Sequence, residues 1–264
     1  MSYSVKKLNN EVVGKVPLLE APDTRPIKGE ALFPEIYANA FLCARKKSGK
    51  TSTIYKILKK CCGKKTKVIV FCSTVNKDPS WATIRAWCDH KDIPFVAHTS
   101  LKNDDGVDEL ALLVQELSVE EEPQPKKVPN FLDSDDEEEE EKPPKYRAPE
   151  YVIILDDLST ELKSKSITGL LKKNRHFRSK ILISSQHLND LLPEGRKQID
   201  YFILFRGHPM KKIEEIHRDA DISIPLDEFY RVYKFATEEP YSFLYVDCAS
   251  GEFRRNFNTL IELE

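Results

Sequence analysis

Five short runs of apolar residues stand out along the chain: residues 40–44 (AFLCA), 67–73 (KVIVFCS), 151–155 (YVIIL), 180–184 (KILIS) and 201–205 (YFILF). Their hydrophobicity is continuous rather than alternating. That pattern predicts strands buried on both faces, as in a parallel sheet covered by helices. Helical periodicity lies between them. Ile54, Ile57, Leu58 and Cys61 recur at i, i+3, i+4 and i+7, and Trp81, Ile84, Cys88 and Leu110, Leu113, Leu117 keep a similar spacing. Strand and helix alternate, so the expected fold class is α/β, a doubly wound and mainly parallel sheet flanked by helices. The tail has another rhythm. Residues 242–247 and 252–257 flank Ala249-Ser250-Gly251, which predicts a C-terminal β-hairpin extension. Trp81, Trp87, Tyr230, Tyr233 and Tyr241 are expected to serve packing. No internal repeat is visible.

Charge changes this picture at one place. Residues 119–150 hold 12 acidic and 5 basic side chains, with EEEPQPKKVP followed by DSDDEEEEEKPPK. Dense like charge with proline cannot bury a core, so this stretch is expected to be an acidic, mobile insertion. The organisation that follows is an N-terminal extension over 1–32, an α/β domain over 33–210, and a helical and hairpin extension over 211–264. The 264-residue length suits one such domain with a small appendage. Outside the insertion the chain carries 31 acidic and 36 basic residues, so a net charge of -2 conceals a basic body. A basic body permits nucleic-acid binding without requiring it. No stretch approaches the roughly 18 apolar residues of a membrane span, and the first residues lack a signal-peptide core. A cytosolic or nuclear compartment is expected. The 6 cysteines show neither a CxxC pair nor a zinc-like spacing and are expected to be buried, reduced thiols.

The strongest chemical signal is Ala44-Arg45-Lys46-Lys47-Ser48-Gly49-Lys50-Thr51, followed by Ser52. It fits the phosphate-loop pattern GxxxxGK[ST], except that Ala44 stands at the first glycine. An apolar strand precedes it and a helical pattern follows, as the motif requires. Loop N–H groups and the helix N-terminus can surround phosphate oxygens. Gly49 allows close approach, Lys50 would reach the β- and γ-phosphates of ATP, and the Thr51 hydroxyl would bind Mg²⁺. A second signal is YVIILDDL, a strand ending in Asp156 and Asp157. An acid at the C-terminal edge of such a strand can hold Mg²⁺, the role given to Asp156, while Asp157 can activate water as a general base. A third is KILISSQH, where Gln186 at the strand tip can touch the γ-phosphate or its water. The same polarity also suits an ordinary strand-end cap.

Several rivals share the phosphate loop. A GTPase would need DxxG where Asp156-Asp157-Leu158-Ser159 stands. A nucleotide kinase suits the paired acids and glutamine less well, because these favour water activation. A helicase, or a DNA-associated scaffold that binds nucleotide without turnover, stays open. Lys163, Lys165, Lys172, Lys173, Arg175 and Arg178 are candidate phosphate-backbone contacts, or simply a solvated basic surface.

These pieces together resemble the viral DNA-packaging ATPases of nucleocytoplasmic large DNA viruses, in the FtsK/HerA-like branch of P-loop NTPases. The likeness rests on ARKKSGKT, IILDDLS, and Arg175-His176-Phe177-Arg178-Ser179 leading to Gln186, and covers about residues 33–207. It implies a P-loop NTPase fold of the RecA-like, ASCE kind. It also implies Mg²⁺-dependent ATP hydrolysis coupled to translocation of double-stranded DNA, by a homo-oligomeric ring of five or six subunits. Arg175 or Arg178 would then act as an arginine finger on the neighbouring subunit's site. Capsid or virion membrane proteins are implied partners, and the host-cell cytoplasm the implied place of assembly.

Overall fold

The computed structural model describes residues 23–119 and 145–263. Most of the expected N-terminal extension and acidic insertion therefore lies outside the described residues. Those described form a nine-stranded sheet in the order β3-β2-β4-β5-β1-β6-β7-β8-β9. All five apolar runs are strands: β1 (Asn39–Cys43), β2 (Lys67–Cys72), β4 (Tyr151–Asp156), β5 (Ser179–Ser185) and β6 (Tyr201–Phe205). They pair in parallel, β1 lying between β5 and β6. The hydrophobic pattern does not single out β3 (Phe95–His98), which pairs with β2. It is four residues long, half-buried and at the sheet edge, so burial imposes little pattern on it.

The predicted hairpin forms from β7 (Phe243–Asp247) and β8 (Glu252–Arg255). Its turn is held by Asp247 Oδ1, which accepts from the N–H groups of Ala249 at 2.9 Å and Ser250 at 3.1 Å. The hairpin is not detached from the main sheet. β7 pairs antiparallel along β6, and β9 (Thr259–Ile261) closes the outer edge.

Helices cover both faces. α1 (Lys50–Cys61) and α2 (Pro79–His90) pack with Ala40, Leu42, Val68, Val70, Ile154 and Leu182. The other cluster joins α3 (Glu109–Val119), α4 (Lys165–Lys172), α6 (Met210–Asp219) and α7 (Leu226–Ala236) to Phe41, Ile69, Ile153, Ile181 and Phe202. Successive strand side chains point to opposite faces, so the middle of each strand needed apolar residues on both faces, with polar residues confined to the strand ends. This is the physical origin of the unbroken runs. Every residue named above for helical periodicity is buried. The cysteines are free thiols, with Cys248 partly exposed and the others buried.

Among the described residues, one lysine is fully buried in this frame. Lys180, 1% exposed, donates from Nζ to the Glu35 carbonyl at 2.8 Å and lies 4.6 Å from the centre of the Phe33 ring. Burial lowers its pKa to about 8.

Leu182 sits fully buried in β5, between β4 and β1. Leu182→Ala is expected to cost about 2–5 kcal/mol, the range for truncating a closed core site. Urea unfolding would show it as a lower midpoint with an unchanged slope.

Candidate functional site

The parallel strands end along one edge of the sheet. The segment Ala44 to Gly49 leaves β1 there and enters α1 at Lys50. Gly49 is the helix N-cap, with φ 93° and ψ 12°, a left-handed conformation that favours glycine. Lys47 takes a second left-handed position at φ 62°. Ala44 does not need one: it is buried, its φ is not positive, and its N–H donates to the Ser185 carbonyl at 3.0 Å. Losing the first glycine therefore imposes no backbone strain here.

The start of α1 has the features of an anion cradle. Among the described residues, the N–H groups of Gly49, Lys50, Thr51 and Ser52 meet no acceptor. The Ser48 Oγ is buried and likewise unpartnered. The first turn also contains no acidic residue. These donors fit phosphate oxygens, which a helix N-terminus attracts. Arg45, Lys46 and Lys47 add exposed positive charge.

Both expected acids converge on this loop. The Lys50 ammonium pairs with Asp156 Oδ1 at 2.9 Å and also with Asp157 Oδ1. Asp156 closes β4 and is 1% exposed, whereas the Asp157 side chain is 43% exposed. Asp157 has φ 53°, a left-handed position uncommon for a non-glycine residue. Burial works against the charge on each partner. For Lys50, burial pulls the pKa down, but Asp156 and Asp157 outweigh it and hold the ammonium above its ordinary value. For Asp156, burial prevails over Lys50 and holds the carboxyl above the ordinary carboxylate range.

Metal donors are few. Among the described residues, no cluster of three His, Cys, Asp or Glu side chains could hold a metal. The donors expected from the sequence are a hydroxyl, Thr51 in the first turn of α1, and a carboxylate, Asp156 at the end of β4. That suits Mg²⁺, which retains waters and is commonly held by one or two protein groups together with phosphate oxygens.

Gln186 follows β5, the strand paired with β1, and so stands beside the phosphate loop. Its carbonyl accepts from Lys212, and among the described residues its side-chain amide makes no hydrogen bond. Arg175 is not part of this assembly. It precedes β5 whereas Gln186 follows it, which puts roughly 20 Å of strand between the two ends. Arg175 reaches Glu35 at 3.4 Å, and Arg178 reaches Glu150 at 2.7 Å. Lys163, Lys165, Lys172 and Lys173 are exposed.

Two neighbours of the loop are not marked by any sequence pattern. Buried His208, just beyond β6, donates from Nε2 to the Cys43 carbonyl at 2.9 Å, behind the loop. Its Nδ1 is buried and unpartnered. Burial lowers the pKa to about 4, aided by the nearby positive charges of Lys212 and Arg45. The second is Tyr241, expected to pack like Tyr233. Tyr233 is indeed buried, but Tyr241 is 72% exposed and borders Gly49. The available signal for both was their place in chains flanking β6 and β7. Pattern alone does not reveal that those strands adjoin β1.

Comparison with known proteins bears on the fold. No protein-family model matches the sequence. A 102-residue stretch is 29% identical to the uncharacterized protein 075L of Invertebrate iridescent virus 6, covering 38% of this chain and 40% of that protein. The chain thus matches less than half the length of that relative. The fold is that of the DNA-packaging ATPase B204 from Sulfolobus turreted icosahedral virus: TM-score 0.53, 19% identity, covering 82% of this chain and 95% of that one. B204 of Sulfolobus turreted icosahedral virus 2, in complex with ATP-γS, matches with TM-score 0.50 and 20% identity over 83% and 96% of the two chains.

The His208 shift predicts an acid-sensitive element behind the loop. The folded pKa lies below the ordinary 6.5, so the unfolded chain binds the proton more readily. The stabilisation is complete above about pH 6.5 and is lost as pH falls toward about 4, amounting to roughly 3 kcal/mol. His208→Gln retains a donor toward Cys43 without a titrating ring. Its stability should fall less than wild type between pH 7 and 4 by about that amount, measured by urea unfolding.

Proposed function

We propose that the protein is a P-loop ATPase that translocates double-stranded DNA into a viral capsid, as the genome-packaging motor. One observation carries the catalytic reading: Lys50, on a loop of free N–H groups, bridges Asp156 and the more exposed Asp157 at the strand edge. The fold shared with B204 supports the packaging role. In this reading the loop from Ala44 to Ser52 binds the phosphates of ATP. Thr51 and Asp156 hold Mg²⁺, which neutralises phosphate charge when bound.

The chemistry then falls to this chain's side chains. Lys50 turns from Asp157 toward the phosphates and offsets their charge. The freed Asp157 carboxylate accepts a proton from water as that water's oxygen bonds to the γ-phosphorus. The bond from γ-phosphorus to the bridging oxygen breaks, and ADP and phosphate leave. Gln186 orients the water. Arg175 or Arg178 acts in trans, because neither lies at its own chain's site. That role needs a neighbouring copy at each site, and the assembly proposed is a ring of five or six copies around the DNA, forming in the host cytoplasm with capsid or virion membrane proteins as docking partners. Exposed lysines such as Lys163 and Lys165 supply contacts to the phosphate backbone, without sequence preference. Among the described residues no helix is long and apolar enough to cross a membrane.

The test is phosphate release from ATP, with and without duplex DNA. Turnover should rise with DNA and vanish in Lys50→Ala. Asp157→Asn should still bind ATP but turn over more slowly by a factor on the order of 10² to 10⁴, as expected for a lost general base. Unchanged turnover in Asp157→Asn would remove its assignment as base. ATP binding without turnover in the wild type would favour the scaffold reading, and a phosphorylated acceptor would favour a kinase.

A further inference from the structure

Tyr241 has no structural occupation that accounts for its conformation. It lies in the turn between α7 and β7 with φ 64°, a left-handed position that costs energy for a bulky side chain. It is 72% exposed, so burial does not offset that cost. Among the described residues, its ring meets no other aromatic ring and its hydroxyl makes no hydrogen bond. The turn is nevertheless pinned. Ser242 Oγ donates to the Glu239 carbonyl at 2.6 Å, Thr237 Oγ1 donates to Tyr233 at 2.8 Å, and Phe243 exchanges hydrogen bonds with Asn256. An exposed ring is thus held in place by its neighbours.

What it is held against is the phosphate loop. A Cβ built on Gly49 would lie 3.4 Å from Tyr241 Cδ1. The strand order supplies a direction. Asp156 and Asp157 lie on the β4 side of β1, which fixes where the γ-phosphate end of a nucleotide would point. The nucleoside end must leave the loop toward the opposite side, where β6 and β7 stand. β7 runs antiparallel to β6, so its first residues return to the edge where β1 ends. Tyr241 therefore flanks the loop on the side where a base would emerge.

We propose that Tyr241 is the platform on which the nucleotide base stacks. The inference rests on the nucleotide-binding reading of the loop and adds to it the residue that meets the base. A base presents a π-face to an aromatic ring, and such stacking contributes affinity with little demand on base identity.

The test compares ATP with inorganic tripolyphosphate, which has the phosphates but no base. Binding of each, with Mg²⁺, is measured by calorimetry for wild type, Tyr241→Ala, Tyr241→Phe and Lys50→Ala. Tyr241→Ala should weaken ATP binding on the order of 10- to 100-fold, as loss of one stacked base does, and leave tripolyphosphate affinity unchanged. Tyr241→Phe should bind ATP nearly as wild type, because the ring face remains. Lys50→Ala should weaken both ligands. Equal ATP affinity in Tyr241→Ala and wild type overturns the platform while the phosphate loop stands, and so does a parallel loss of both ligands in Tyr241→Ala. A wild type that binds neither ligand overturns the nucleotide reading and the platform with it. The Tyr241 side chain is exposed, so the two Tyr241 variants should unfold at the wild-type temperature.

Discussion

The site is organised by a carboxylate that the fold has taken out of water. Asp156 ends a strand buried on both faces, and its side chain is almost wholly inaccessible. An unpaired ionised carboxylate there would be costly, so it needs a cation within reach. Lys50 meets that need from the first residue of α1, one strand position beyond the immediate neighbour β5. The pairing constrains the loop, because Lys50 can turn toward β4 only if the helix starts where it does. Gly49 makes that start possible by taking a conformation that other residues resist. Buried acid, lysine and glycine are thus one mechanical unit rather than three motif letters.

The energetics of this unit also suit exchange rather than permanence. Lys50 is shared between a buried and a more exposed acid. Its bond to exposed Asp157 is the weaker commitment, since exposed pairs contribute little net stability. A competing anion at the helix N-terminus need only displace that half of the bridge. Asp156 would keep a cation beside it throughout. A helix start whose N–H groups have no acceptors favours such an exchange.

Much of this was legible in the sequence because parallel strands leave an unambiguous trace. Burial on both faces demands unbroken apolar runs, and all five such runs became strands within a residue or two. The phosphate loop and the acid pair were legible because each motif sits at a strand end, a place hydrophobic pattern locates well. What was not legible depends on which strands are neighbours. β3 is short and half-exposed, so little selects its pattern. The hairpin was foreseen, but its pairing with β6 was not, because pairing is a long-range choice. His208 and Tyr241 follow from that choice alone. Nothing in RGHP or EEPYS names the phosphate loop as their neighbour until β6 and β7 line up beside β1.

Strand polarity also constrains which arginines of this chain lie near the phosphate loop. β5 is a rod with Arg175 and Arg178 before one end and Gln186 after the other. A residue at the start of the rod cannot reach phosphates bound at its finish without unravelling a fully buried strand. In the proposed mechanism, an arginine from that turn must therefore belong to another copy. The candidate on the same chain is instead Arg45, in the loop itself. Arg45 already lies along Gly207, where a Cβ would come within 3.5 Å of its guanidinium nitrogen. Gly207 has φ 97°, so the backbone conformation selects glycine, while the contact itself is an ordinary one. The exposed Arg45 guanidinium lies against Gly207 beside the phosphate loop, while Arg175 and Arg178 keep carboxylate partners at the far edge. Whether charge on the phosphates is met from within one chain or from a neighbour is thus a question about assembly, because the strand already separates the two sets of arginines.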